Sequence, residues 1–114
     1  MAKKVSQPPR TYKLFIERFP HLGEAWENMR AQEAAGPLDE HTARLIKLAV
    51  AIGGLREGAV HSCVRKALAA GATREEIDHV IALAASTIGL PTVVAAYSWV
   101  LDELPGGKPK KKKR

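Results

Sequence analysis

Residues 45–85 read LIKLAVAIGGLREGAVHSCVRKALAAGATREEIDHVIALAA. Apolar residues in this stretch recur every three to four positions, and the pattern breaks at Gly53-Gly54 and at Gly71. This spacing gathers apolar side chains on one face of a helix, and glycine is common just past a helix end. The stretch therefore predicts three consecutive amphipathic helices separated by short turns.

Capping residues support the starts of two of these helices. Asp39 precedes the helix that contains residue 45, and its carboxylate can accept hydrogen bonds from N–H groups of the first turn. Thr73 and Glu76 have the spacing of a capping box, in which each side chain covers the other residue's backbone N–H group. Applied to the rest of the chain, the same reasoning predicts helices at 11–19, 22–34, 40–52, 56–70, 74–87 and from 91 to 102 or 104.

These elements predict an all-α fold, a compact helical domain of about six helices over residues 11–104. Residues 1–10 are polar with two prolines and are expected to form a flexible N-terminal segment. Residues 105–114 are expected to be a disordered basic tail. The last three helices are rich in alanine, so a one-chain core would be thin, and we expect a homo-oligomer.

The net charge of +6 belongs to the C-terminal tail. Residues 108–114 hold six Lys and Arg residues, and the other twelve balance the twelve Asp and Glu residues. Such a tail attracts polyanions in a salt-dependent way, but it contains no aromatic side chain on which a base could stack. We therefore expect no nucleic-acid partner beyond non-specific binding by the tail.

The chain has one cysteine, so its fold cannot depend on an intrachain disulfide. Its first residues do not resemble a signal peptide, and its apolar runs are too short to span a bilayer. These features predict a cytoplasmic protein without membrane association.

Residues 57–63, EGAVHSC, contain the side chains best suited to chemistry. Glu57 and His61 are four positions apart and share one face of a helix. The pair could act as an oriented general base or a proton relay, or it could be an ordinary surface pair worth a few tenths of a kcal/mol. Both interpretations stay open.

Cys63 lies about 200° around the helix axis from His61, so a direct thiol–imidazole pair is not expected on one regular helix. Cys63 could be a nucleophile if Arg56 or Lys66 favours its thiolate form, or it could be a small buried hydrophobe. The stretch lacks the paired ligand spacing of a zinc site, and no metal is expected.

Residues 39 to about 104 resemble the carboxymuconolactone decarboxylase and alkyl hydroperoxidase D superfamily, in particular its short members. The shared features are LIKLAVAI at 45–52, VRKAL followed by Gly71, and the EEI that opens the next helix. The resemblance implies an alkyl hydroperoxidase D-like helical subunit that assembles into a trimer or hexamer. It implies no cofactor.

The resemblance also implies two chemistries. In the alkyl hydroperoxidase D branch, a Cys-x-x-Cys pair followed four residues later by His performs thiol–disulfide chemistry, assisted by a Glu on the preceding helix. In the decarboxylase branch a His occupies that site without the cysteine pair, and the reaction removes a carboxylate from a lactone. Registered on VRKAL, the cysteine positions fall at Arg56 and Ala59, the histidine at Cys63 and the glutamate near Arg44. The two-cysteine cycle is therefore excluded.

Three functions remain, and the sequence leads us to favour the first. It is a peroxidase-like, antioxidant oxidoreductase in which Cys63 is the nucleophile while Glu57 and His61 handle protons. The second is a cofactor-free decarboxylase with His61 as the base, and the third is a non-catalytic oligomeric scaffold or binding protein. The candidate catalytic residues are Cys63, His61 and Glu57, and the candidate residues for binding a small-molecule substrate are Arg56 and Ser62.

Overall fold

The computed structural model describes residues 10–106. Six α-helices and no strand occur in that range, which confirms the predicted all-α class. Every predicted helix boundary is right to within two residues. None of the described helices is long and apolar enough to cross a membrane. The helices are α1 (Arg10–Arg18), α2 (Pro20–Ala34), α3 (Glu40–Gly53), α4 (Glu57–Ala69), α5 (Arg74–Ile88) and α6 (Leu90–Glu103).

The chain forms two compact units that divide between Leu38 and Asp39. The described part of the first unit contains α1 and α2, and that of the second contains α3 to α6. The single domain predicted over residues 11–104 spans both units and stays a prediction. Apart from Arg10, Pro105 and Gly106, the predicted N-terminal segment and basic tail lie outside the described residues.

The described part of the first unit is a pair of helices without a buried core. The break between them falls at Phe19, and Pro20 takes the first position of α2, where a missing N–H group costs no helical hydrogen bond. The rings of Phe15 and Phe19 are in contact, with their centroids 5.0 Å apart. Neither helix has a buried residue.

The predicted caps are confirmed in the second unit. The Thr42 N–H group donates to Asp39 Oδ1 at 2.7 Å, which starts α3. The Glu76 N–H group donates to Thr73 Oγ1 at 3.1 Å, and the Thr73 N–H group donates to Glu76 Oε1 at 2.9 Å. Both halves of the capping box are therefore formed at the start of α5.

The turn after α3 begins where it was predicted. Gly53 is the last residue of the helix, and Gly54 is its C-cap residue, with a right-handed conformation and φ −85°. The left-handed residue is Leu55, with φ +52°. Gly71, where the sequence pattern predicted a break, follows α4 in the left-handed conformation with φ +98°.

The core of the second unit is aliphatic. Both α3 and α6 pack against both α4 and α5. Because α4 packs against α6, side chains of α6 lie opposite the EGAVHSC segment. The largest fully buried side chains are Leu48, Ile52, Val60, Val64, Ile77 and Val100.

Candidate functional site

His61 and Glu57 lie next to each other on α4, as their spacing predicted. His61 Nε2 is 3.6 Å from Glu57 Oε2, and the side chain of Glu57 is 62% exposed. This separation is longer than a hydrogen bond, so Glu57 is an electrostatic neighbour of the ring and does not fix its orientation.

The closer partner of His61 comes from another helix. Its Nδ1 atom lies at hydrogen-bond distance, 2.7 Å, from Glu103 Oε2, and both side chains are only 20% exposed. Glu103 is the last residue of α6 and lies 42 positions from His61 in sequence. Sequence reasoning missed it, since its position at the end of a mostly apolar helix gave no indication that α6 packs beside α4.

Arg65 completes the cluster one helical turn beyond His61. Its Nη1 atom is 3.3 Å from Glu103 Oε2, the same oxygen that accepts from His61. Glu57, His61 and Arg65 are spaced four apart and form one stripe along α4. We call Glu57, His61, Arg65 and Glu103 the His61 cluster.

Cys63 belongs to a different face of α4. It is partly buried and packs against the hydrophobic core cluster of the second unit. This placement agrees with the divergence from His61 that the helical geometry predicted. The alternative in which Cys63 acts as a small packed hydrophobe is favoured by this contact.

The two predicted substrate-binding residues lie in different surroundings. Arg56 is exposed and precedes α4, where no side chain caps the helix. It lines an open depression of about 560 Å³. Ser62 is partly buried and does not line that depression. The other lining residues are Leu55, Glu57, Gly58 and Ala59.

A second concave surface lies between α3 and α5. It is a mainly apolar groove of about 500 Å³ whose lining residues all belong to these two helices. Glu76 lies on this groove and accepts a hydrogen bond from His41 Nε2–H at 2.7 Å. The Thr73 N–H group, and after it His41, hold the pKa of Glu76 below its ordinary value. The groove is separate from the His61 cluster, which lies on α4 and α6.

Among residues 10–106, the side chains of His, Cys, Asp and Glu form no group of three or more that could hold a metal ion. The side chains of the His61 cluster are themselves of the types that transfer protons and stabilise charge.

These observations define a small all-α protein with a carboxylate–imidazole–carboxylate cluster between two helices. The family model for the carboxymuconolactone decarboxylase family matches residues 20–102, and the chain belongs to that family. No curated protein and no solved structure matches this chain. Glu103 lies one residue beyond the matched range, whereas Glu57, His61 and Arg65 lie inside it.

Proposed function

We propose that this protein is a cofactor-free acid–base enzyme of the decarboxylase type that acts on a small carboxylated lactone, with His61 transferring the proton. The single observation that carries the proposal is the geometry of the His61 ring. Nδ1 is held at 2.7 Å by Glu103, while Nε2 lies 3.6 Å from Glu57, beyond hydrogen-bond distance. An imidazole held on one side can exchange a proton on the other.

The reaction class requires such a group. Decarboxylation breaks the bond between carbon and the carboxylate, and the electron pair of that bond moves into conjugation with the lactone carbonyl. The product then needs a proton on carbon. His61 can take a proton at Nε2 from solvent and deliver it to this carbon, and the exposed Glu57 carboxylate stabilises the protonated ring during the exchange.

The open depression beside Glu57 offers charge complementarity to an anionic substrate. The Arg56 guanidinium lines it, and the uncapped N-terminus of α4 carries partial positive charge. A substrate carboxylate bound there would be next to Glu57 and hence near His61.

Release of CO2 from a panel of small carboxylated lactones, labelled with carbon-13 at the carboxyl group, tests the proposal. We expect release by the wild type and by Cys63→Ser, and a loss of about 100-fold or more in His61→Gln. His79→Gln is a matched control, because His79 lies on α5 outside the His61 cluster. Wild-type inactivity on the whole panel, or full activity of His61→Gln, would contradict the proposal.

The second candidate is a single-cysteine peroxidase, favoured by one observation: Cys63 is not fully buried. Its thiolate would attack the O–O bond of a peroxide, giving a sulfenic acid and releasing an alcohol or water, and two equivalents of an external thiol would restore it. Intact-mass spectrometry after a low dose of peroxide separates the candidates. Rapid, stoichiometric gain of one oxygen in the wild type, absent in Cys63→Ser, supports the peroxidase.

We also propose that the chain forms a homo-oligomer, a trimer or hexamer, as the resemblance implies. The support is the groove between α3 and α5, where the large apolar residues Ile46, Leu83 and Ile88 are exposed. Light scattering during size-exclusion chromatography tests this. Leu83→Glu should lower the mass of the particle, and Ala82→Glu, its exposed neighbour outside the groove, should not. A monomeric wild type would contradict the proposal.

A further inference from the structure

We propose that Glu103 is a positioning residue for His61: it fixes the ring orientation and keeps the proton on Nδ1, so that Nε2 is the nitrogen that exchanges protons with substrate. The contribution of this role to catalysis rests on the proposed function. The structural part of the inference, the tautomer of His61, can be measured without any substrate.

The tautomer follows from hydrogen-bond chemistry. A neutral imidazole has one N–H donor and one lone pair, and an ionised carboxylate can only accept. Because Glu103 Oε2 lies 2.7 Å from Nδ1, the proton of the neutral ring resides on Nδ1, and the lone pair resides on Nε2. A charge-assisted contact of this length is among the stronger hydrogen bonds in proteins.

Arg65 is a second neighbour of the Glu103 carboxylate. Its guanidinium lies 3.3 Å from the oxygen that accepts from His61, and a guanidinium can donate but never accept. The guanidinium and the His61 ring therefore approach the same carboxylate oxygen, and toward both of them this oxygen is placed as an acceptor.

The backbone around Glu103 is anchored in the core. Val100, one turn earlier, is fully buried, and Leu104, the next residue, is 4% exposed. The Leu104 N–H group donates to the Leu101 carbonyl, which closes the end of α6. The carboxylate therefore projects from a packed helix end, which is the type of support that a precise site requires.

Glu57 and Glu103 are expected to differ in their effects on the ring, and this difference makes the inference testable. Glu57 is 62% exposed and 3.6 Å from the ring, whereas Glu103 is 20% exposed and 2.7 Å from it. Removing the charge of Glu57 should leave the tautomer unchanged. A glutamine at 103 can turn its oxygen to Arg65 and its NH2 group to Nδ1, which would move the ring proton to Nε2.

The experiment is nitrogen-15 NMR of the imidazole groups in the labelled full-length protein, at a pH where the rings are neutral. The His61 signals are assigned by their loss in His61→Gln. We expect a protonated Nδ1 in the wild type and in Glu57→Gln. In Glu103→Gln we expect the Nε2-protonated form to predominate, and in Glu103→Ala a mixture of both forms. Circular dichroism checks that each variant is folded.

A wild-type ring protonated on Nε2, or equal spectra for Glu57→Gln and Glu103→Gln, would overturn the inference. The activity readout is separate. If the lactone activity exists, Glu103→Gln should lower kcat by about 100-fold with KM within a factor of two, and Glu103→Asp should recover part of the loss. A correct tautomer with no lactone activity would leave the positioning geometry standing and remove only the proposed function.

Discussion

Leu55 and Gly71 occupy the same position in two copies of one backbone motif. After α3 and again after α4, the left-handed residue donates its N–H group to the carbonyl three residues back, and the next N–H group reaches the carbonyl five residues back. This is the Schellman arrangement, in which glycine is usual at the left-handed position. The second copy has glycine at φ +98°, and the first has leucine at φ +52°.

Leu55→Gly should therefore stabilise the protein. A left-handed conformation costs an L-residue about 1–2 kcal/mol, partly offset by the larger unfolded-state entropy of glycine. We expect a net gain of about 0.5–1 kcal/mol in the free energy of unfolding, measured by urea denaturation. Leu55→Ala is the matched control, because it removes the same side chain and keeps the strain. A glycine variant no more stable than the alanine variant contradicts the prediction.

Gly71→Ala should act in the opposite direction. No atom lies within 4 Å of the added Cβ position, so the cost is the backbone strain alone, about 1–2 kcal/mol. Gly53→Ala is the control: it also meets no neighbouring atom, but it lies within α3 and should be neutral or slightly stabilising. Equal effects of the two substitutions on the urea midpoint would show that the left-handed conformation is not the cause.

Two aliphatic residues on α3 provide a test of the core. Ile52 is fully buried, and Val50, which does not line the groove, is 69% exposed. Ile52→Ala should lower the free energy of unfolding by about 2–5 kcal/mol, because it removes buried apolar contacts and leaves a cavity. Val50→Ala should cost much less in the same urea titration. If the two losses were similar, the assignment of Ile52 to the core would be wrong.

Glu76 gives the protein an acid-sensitive contribution to stability. The pKa of Glu76 is lowered in the folded state, first by the Thr73 N–H group and then by His41. A lowered folded pKa stabilises the native state above the unfolded value, 4.5, and this contribution disappears as the pH falls through the folded pKa.

The wild type should therefore be more stable than Glu76→Gln at neutral pH, and the gap should close as the solution is acidified. Thermal unfolding across a pH series measures this gap. Glu75→Gln, one position earlier in the same turn, is the control and should change little. A gap that is constant with pH would refute the prediction.

Cys63 should react slowly in the native protein. It is partly buried against the core cluster, so an alkylating reagent reaches it less easily than in the unfolded chain. Mass spectrometry after timed exposure to iodoacetamide, with and without denaturant, measures the two rates. Native labelling as fast as denatured labelling would count against a packing role and in favour of the peroxidase candidate.

Local sequence signals predicted the helices of this protein, with errors of at most two residues at their ends. Asp39 and the pair Thr73 and Glu76 cap the helices they were expected to cap, because a cap involves only residues three positions apart. The predicted end of α3 at Gly53 and Gly54 was also right, but it did not indicate that Leu55 is the left-handed residue of the turn. Two glycines stood beside Leu55, and the position of the left-handed residue is set by the six-residue hydrogen-bonding pattern as well as by residue preference.

Only part of the candidate site could be predicted from the sequence. The pitch of one helix predicts that Glu57 and His61 lie side by side and that Cys63 points away from His61. The contact of His61 with Glu103 joins residues 42 positions apart, and that of His41 with Glu76 joins residues 35 apart. No periodicity links such positions.

The amino-acid sequence by itself determined the number of helices, their ends, the stripe of charged residues on α4 and the family to which the chain belongs. The tertiary structure alone decided that Glu103 holds His61 and that Cys63 faces the core cluster. The reason is that an apolar helix face will be buried, but its sequence does not determine which helix it packs against, since the hydrophobic effect is non-directional. Only when α4 packs against α6 does a particular carboxylate come within hydrogen-bond distance of the ring.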